Sequence, residues 1–255
     1  MASVQGLFIT GTDTGVGKTL ISCAIVRLLR EHGKNAVGFK PVATGEVNGS
    51  WGDAEALHEA SGRCEPIEKI CPVRFALPLA PTMAAAAEHI EPDLTLARSA
   101  LADLCNRRDT VIVEGVGGLL VPLDKNTLVL DFAAQVGFPV LVVCRAALGT
   151  INHTLLTLRE IQRSGLKCAG IIMNVTRPQD ANMVQGNTHE IERLSGVKVI
   201  ATMPHLGAEN IPDAPQIPLV ARAVAHLVRQ VNVQTLLGKE SATPAGRSGS
   251  RPAVR

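Results

Sequence analysis

The chain has 255 residues, and 25 Lys and Arg stand against 23 Asp and Glu for a net charge of +2. So small an excess gives no electrostatic footprint for nucleic acid or an anionic membrane, and aromatic residues at 2%, with no Tyr, offer no platform for stacked bases. Hydrophobic residues at 46% exclude a disordered polypeptide and supply a sizeable core, and no apolar run reaches the ~20 residues that span a bilayer.

Short apolar runs alternate with amphipathic segments along the chain. Residues 4–10 read as a buried strand, 20–31 as a helix and 36–40 as a second strand. Residues 75–92, with three prolines and the run Ala84 to Ala87, read as a long loop with a short helix. A helix over 94–106 precedes a strand over 110–114, and a short helix over 131–136 precedes the strongest strand, 139–144. Helix 151–164, strand 167–173, helix 181–194, strand 197–201 and helix 218–236 complete the pattern. The strands are continuously apolar rather than alternating, as in a sheet covered on both faces. The order predicts a doubly wound α/β fold with a mostly parallel sheet and helices on both faces. It predicts one domain over 1–237. The stretch 238–255, rich in Gly, Ser, Pro and Arg, reads as a disordered basic tail.

The six cysteines form no C-x-x-C pair and read as small hydrophobes of a reducing cytosol. The seven histidines lack ligand spacing, and no basic segment precedes the first apolar run, so neither a histidine metal site nor a signal peptide is expected. The location these features predict is cytoplasmic.

The stretch "GTDTGVGKT", Gly11 to Thr19, lies between the first strand and the first helix. A Walker A loop has four residues between its glycines, whereas Gly11 and Gly17 have five. The extra residue leaves the roles intact. Backbone amides turn toward an anion, the helix adds its positive end, Lys18 reaches the outer phosphates, and the Thr19 hydroxyl suits Mg²⁺. Three more groups sit at strand ends. Lys40 and Thr44 lie in "GFKPVATG"; taken alone, Lys40 also reads as a solvated charge. Asp53 in "SWGDAEAL" reads as a helix N-cap when taken alone. Glu114 in "VIVEGVGGLLVPL" ends an apolar strand and needs a positive partner, for which Mg²⁺ beside the phosphate loop is economical. Together these groups compose a phosphoryl-transfer site.

The motifs "GTDTGVGKT", "KPVATG", "EGVGGLLVPL", "ALGTINHTLLTLREI" and "GIIMN" together resemble the dethiobiotin synthetase family, from about residue 8 to residue 212. The resemblance implies a P-loop NTPase-like fold and the ATP-dependent addition of CO₂, or bicarbonate, to 7,8-diaminopelargonate. The carbamate is phosphorylated and the second amine closes the ring, giving dethiobiotin, ADP and phosphate. By the same resemblance Thr14, Gly15, Val16, Gly17, Lys18 and Thr19 hold phosphates, with Gly115 and Gly117 beside them. Lys18 and Lys40 are the catalytic cations, and Thr19, Asp53 and Glu114 hold Mg²⁺. Thr44 meets the reacting end of the substrate. Asn174 and the backbone of Pro204, His205 and Leu206 read the adenine. Gly149, Thr150, Ile151 and Asn152, at a helix start, take the substrate carboxylate at a homodimer interface. Gly15 stands where some members carry Glu, Thr44 where some carry Ser, and the segment 47–53 differs in length.

Three other readings fit less well. A ParA/MinD-type switch would have Lys where Asp13 stands. A cobyrinate-type amidotransferase synthetase needs a glutaminase domain for which the chain has no room. A GTPase would show N-K-x-D where Asn174-Val175-Thr176-Arg177 stands.

Overall fold

The structure, a computed structural model, describes residues 5–207, 217–227 and 229–231. The first apolar run is β1 (Gln5–Gly11), buried from its second residue on, followed by α1 (Lys18–Glu31) and β2 (Ala36–Phe39). β3 (Val42–Thr44), α2 (Gly52–Ala60), a single turn α3 (Ile67–Ile70) and β4 (Val73–Phe75) come next. Then follow α4 (Pro81–Glu88), α5 (Leu94–Arg107), β5 (Thr110–Gly118), α6 (Val129–Val136) and β6 (Val140–Arg145). α7 (Thr150–Arg163), β7 (Cys168–Asn174), α8 (Ala181–Ser195), β8 (Val199–Met203) and α9 (Ile217–Leu227) close the described chain.

Six strands form one sheet in the order β2-β5-β1-β6-β7-β8, every neighbouring pair parallel. All six therefore end on the same edge, and strand order reverses beside β1, where such sheets place their ligands. α1 follows β1 and is buried along both sides, between the sheet and the helices α2 and α9. Phe8, Phe39 and Phe132, 0–1% exposed, each contribute about 1.5–3 kcal/mol through burial.

The expected doubly wound fold is present, with three local differences. β5 does not stop at Glu114 but runs to Gly118, where its glycines let it pair across to Gly11 after a shift in register. β3 and β4, three residues each, form a separate parallel pair that a helix-or-strand period is too short to reveal. The short helix expected within 75–92 is α4, with Pro81 in its first turn. Of the helix expected over 218–236, the described part ends at Leu227; the tail expected over 238–255 lies outside the described residues.

Candidate active site at the strand ends

The turn after β1 reverses the chain tightly before α1. Gly17 caps that helix at φ 95°, in the left-handed region. A β-carbon there would lie 2.2 Å from the Asn174 amide nitrogen. Asn174, 3% exposed at the end of β7, donates that amide to the Val16 carbonyl at 2.9 Å. The loop is braced on its outer side too. The Asp13 carboxylate accepts from the Thr14 amide at 2.7 Å and from Arg145 at 2.5 Å, and Arg145 also reaches the Thr14 carbonyl. Arg145 ends β6, 132 residues from Asp13, a separation no local pattern reports.

Beneath the loop four charges converge. The Lys40 ammonium lies 2.7 Å from Asp53 Oδ2 and 2.6 Å from Glu114 Oε1, with the Gly115 carbonyl at 3.4 Å. Lys40 is 2% exposed and Glu114 0%, while Asp53 is 34% exposed and opens to the cavity. The Thr19 hydroxyl sits 2.5 Å from Asp53 Oδ1 and 2.9 Å from Glu114 Oε1. Glu114 Oε2 is buried with no hydrogen-bond partner among the described residues. The Lys18 ammonium, 7% exposed, donates to the Asp13 carbonyl at 3.1 Å. Burial and the nearby Lys40 charge push Lys18 down to about 8, against the pull of Glu114 and Asp53. For Lys40, burial would lower the pKa, but the Asp53 and Glu114 carboxylates outweigh it and hold the group well above its ordinary range. Burial would likewise raise Asp53, and Lys40 more than reverses that.

Asp53 is thus not the cap of its helix. α2 starts at Gly52 after Trp51, no side chain caps it, and the Asp53 carboxylate turns inward to Lys40 and Thr19. Lys40 is not a solvated charge either, since it is buried on two carboxylates.

A cavity of about 760 Å³ opens over this cluster. Of the residues expected at the site, Thr14, Gly15, Gly17, Lys18, Thr19, Lys40, Thr44, Asp53 and Gly117 line it. Glu114 and Gly115 lie under Lys40, and Val16 is wholly buried in the loop. Asn174, Pro204, His205 and Leu206 are not among its lining residues; the Asn174 amide is committed to the loop, and the other three follow β8. Gly149, Thr150, Ile151 and Asn152 begin α7 and also lie outside the cavity wall of this chain. The far wall, not anticipated from the sequence, comes from Trp51, Leu79 and Pro81. Trp51 is fixed by donating its ring N–H to the Phe75 carbonyl at 2.7 Å, and Arg74 stacks on its face at 4.9 Å. Among the described residues, no helix is long and apolar enough to cross a membrane.

A family model described as AAA_26, AAA domain, matches residues 5–210. The ATP-dependent dethiobiotin synthetase BioD of Anaeromyxobacter dehalogenans is 52% identical over 201 residues, covering 79% of this chain and 90% of that protein. The protein of the same name from Bacillus cereus is 38% identical over 207 residues, covering 81% and 86%. Among solved structures, a MinC:MinD cell division protein complex from Aquifex aeolicus aligns over 99% of both chains with a TM-score of 0.57 at 15% identity, a likeness of fold alone.

Proposed function

The chain belongs to the ATP-dependent dethiobiotin synthetases, a family of ligases that performs the penultimate step of biotin synthesis, and from that membership we propose how its own residues carry out the reaction. The substrate is 7,8-diaminopelargonate. One amine takes up CO₂ as a carbamate, a carbamate oxygen attacks the γ-phosphorus of ATP, and ADP leaves. The second amine then attacks the carbonyl of the mixed anhydride, and phosphate departs as the ureido ring closes.

The physical difficulty lies in the middle step, where an anionic carbamate meets an anionic phosphate. At ~4 Å and an effective dielectric of ~20, two unit charges repel by about 4 kcal/mol. Lys18, at the start of α1, bridges phosphate and carbamate. Lys40 lines the same cavity near Lys18 and meets the carbamate beside the Thr44 hydroxyl. Gly15, Gly17 and Gly117 let the backbone approach the phosphates closely, and the loop braces at Asn174 and Arg145 hold those amides in place.

Thr19, Asp53 and Glu114 would hold Mg²⁺. The residues fit a hard cation: all donors are oxygen, one hydroxyl hydrogen faces two carboxylate oxygens, and Glu114 Oε2 is buried without a partner among the described residues. So few protein ligands suit an ion that keeps waters and phosphate oxygens. When bound, the ion neutralises charge on the β- and γ-phosphates.

Because Gly149 to Asn152 lie outside this chain's cavity, a homodimer is the economical way to use them. A second copy that sets its α7 N-terminus against the cavity mouth would bring backbone amides to the substrate carboxylate. Adenine is read beside the ends of β7 and β8, by Asn174 and the Pro204 to Leu206 backbone. The enzyme works in the cytoplasm as one domain.

The observation that carries this reading is the convergence of Lys18, Lys40, Asp53 and Glu114 under one cavity. The test is diamine-dependent ATP turnover with mass-spectrometric detection of dethiobiotin. Lys40→Ala should abolish product while ATP binding survives, and a Lys40→Ala enzyme near the wild-type rate would remove Lys40 from the reaction.

A further inference from the structure

The two carboxylates offered above to a divalent ion are already occupied by an ammonium. Lys40 Nζ touches Asp53 and Glu114 at 2.7 and 2.6 Å, the same two groups that flank the Thr19 hydroxyl. We propose that Lys40 is the place-holder of the cation site: its ammonium neutralises Asp53 and Glu114 until a divalent ion takes them, and the displaced ammonium then turns into the cavity toward the reacting anion. This rests on the assignment of Thr19, Asp53 and Glu114 as metal ligands.

Three features support exchange over sharing. An ammonium and a divalent ion on one carboxylate pair would set three positive charges against two negative ones in a buried pocket, and their repulsion opposes co-occupancy. Lys40 is anchored at the end of β2 but carries a flexible four-carbon stem, so its head can move while its backbone stays. Its amide is held by the Ile70 carbonyl at 2.8 Å, which fixes the pivot. Lys40 also lines the cavity, so a released ammonium faces the ligand space rather than the core.

The device has a consequence for order. Two adjacent carboxylates without a cation, one of them the fully buried Glu114, would be costly in the ligand-free protein, and Lys40 removes that cost. The same pairing keeps Lys40 from any anion until the metal–nucleotide arrives, so the carbamate would meet a free ammonium only when ATP is present to react with it.

The test uses Mn²⁺ as the probe, without nucleotide, on the full chain. Its affinity is measured by calorimetry or electron paramagnetic resonance for wild type, Lys40→Met and Lys18→Met. Lys18 bonds the Asp13 carbonyl and not the carboxylates, so it controls for loss of a nearby positive charge. Direct exchange predicts at least a roughly tenfold gain in Mn²⁺ affinity for Lys40→Met and less than about threefold for Lys18→Met. Equal gains in the two variants, or none in Lys40→Met, would overturn the proposal. Should Lys40→Met fail to fold, the wild-type protein decides. Acetylation of Lys40 by acetic anhydride, read by mass spectrometry, should rise several-fold at saturating Mg²⁺, while that of Lys125, 80% exposed, stays constant. No rise at Lys40 would mean that ammonium and metal share the carboxylates. Lost turnover with unchanged Mn²⁺ affinity would refute the place-holder while leaving the catalytic role of Lys40 standing.

Discussion

Lys18 should make the ligand-free protein more stable as the medium becomes more alkaline. Its pKa falls from 10.5 to about 8 on folding, because the ammonium is buried and faces Lys40. Below pH 8 both folded and unfolded chains hold the proton, and the fold bears the full cost of the buried charge. That cost is about 3 kcal/mol for a shift of this size. Between pH 8 and 10.5 the unfolded chain binds more protons than the folded one, so unfolding free energy rises and the penalty fades. The cysteines act in the opposite direction. Burial pushes Cys71 up to about 12, and it also raises Cys105, Cys144 and Cys168, so each weakens the fold as pH climbs past 9. Only a difference between variants isolates Lys18. Lys18→Met keeps the stem and deletes the charge, at the loss of one hydrogen bond to Asp13 worth about 1 kcal/mol. The variant should exceed wild type by about 2 kcal/mol at pH 7, and the advantage should vanish by pH 10.5. Urea unfolding followed by circular dichroism, in EDTA and a reductant and without nucleotide, measures both. A difference that stays constant across this range, or a variant weaker than wild type at pH 7, would refute the reasoning.

Other perturbations test other parts. Gly17→Ala forces a β-carbon onto the Asn174 amide in a left-handed backbone, and should cost about 2–3 kcal/mol in a melting experiment and most nucleotide affinity. Glu114→Gln should weaken Mg²⁺-dependent nucleotide binding by tenfold or more, roughly; an unchanged Mg²⁺ titration would take Glu114 out of the metal site. Glu65 lies 5% exposed and accepts from both Arg107 and Arg108, whose bonds hold its carboxyl low against the upward push of burial. Glu65→Gln should therefore cost about 2 kcal/mol at neutral pH, a loss that shrinks only as pH falls from the ordinary carboxylate pKa down through the lowered one, with turnover per folded molecule unchanged.

The parts of the fold that were legible in the sequence are those whose physics is local. β1, β5 and β6 announce themselves because a strand covered on both faces has no polar residue to spare. The phosphate loop is legible because anion binding needs glycine and a helix start side by side. What stayed hidden depends on strands meeting across the sheet. The pairing of Arg145 with Asp13, and of Asn174 with Val16, joins the ends of β6 and β7 to the loop after β1, and spacing along the chain carries no trace of either. Asp53 shows the same limit from the other side. An acid at a helix start satisfies the local rule for a cap, yet Lys40 at the end of β2 outcompetes the helix amides for its carboxylate. A full ammonium beside the acid is the stronger partner in a buried site. The local rule failed where several charges converge, and functional sites are where such local rules are expected to fail.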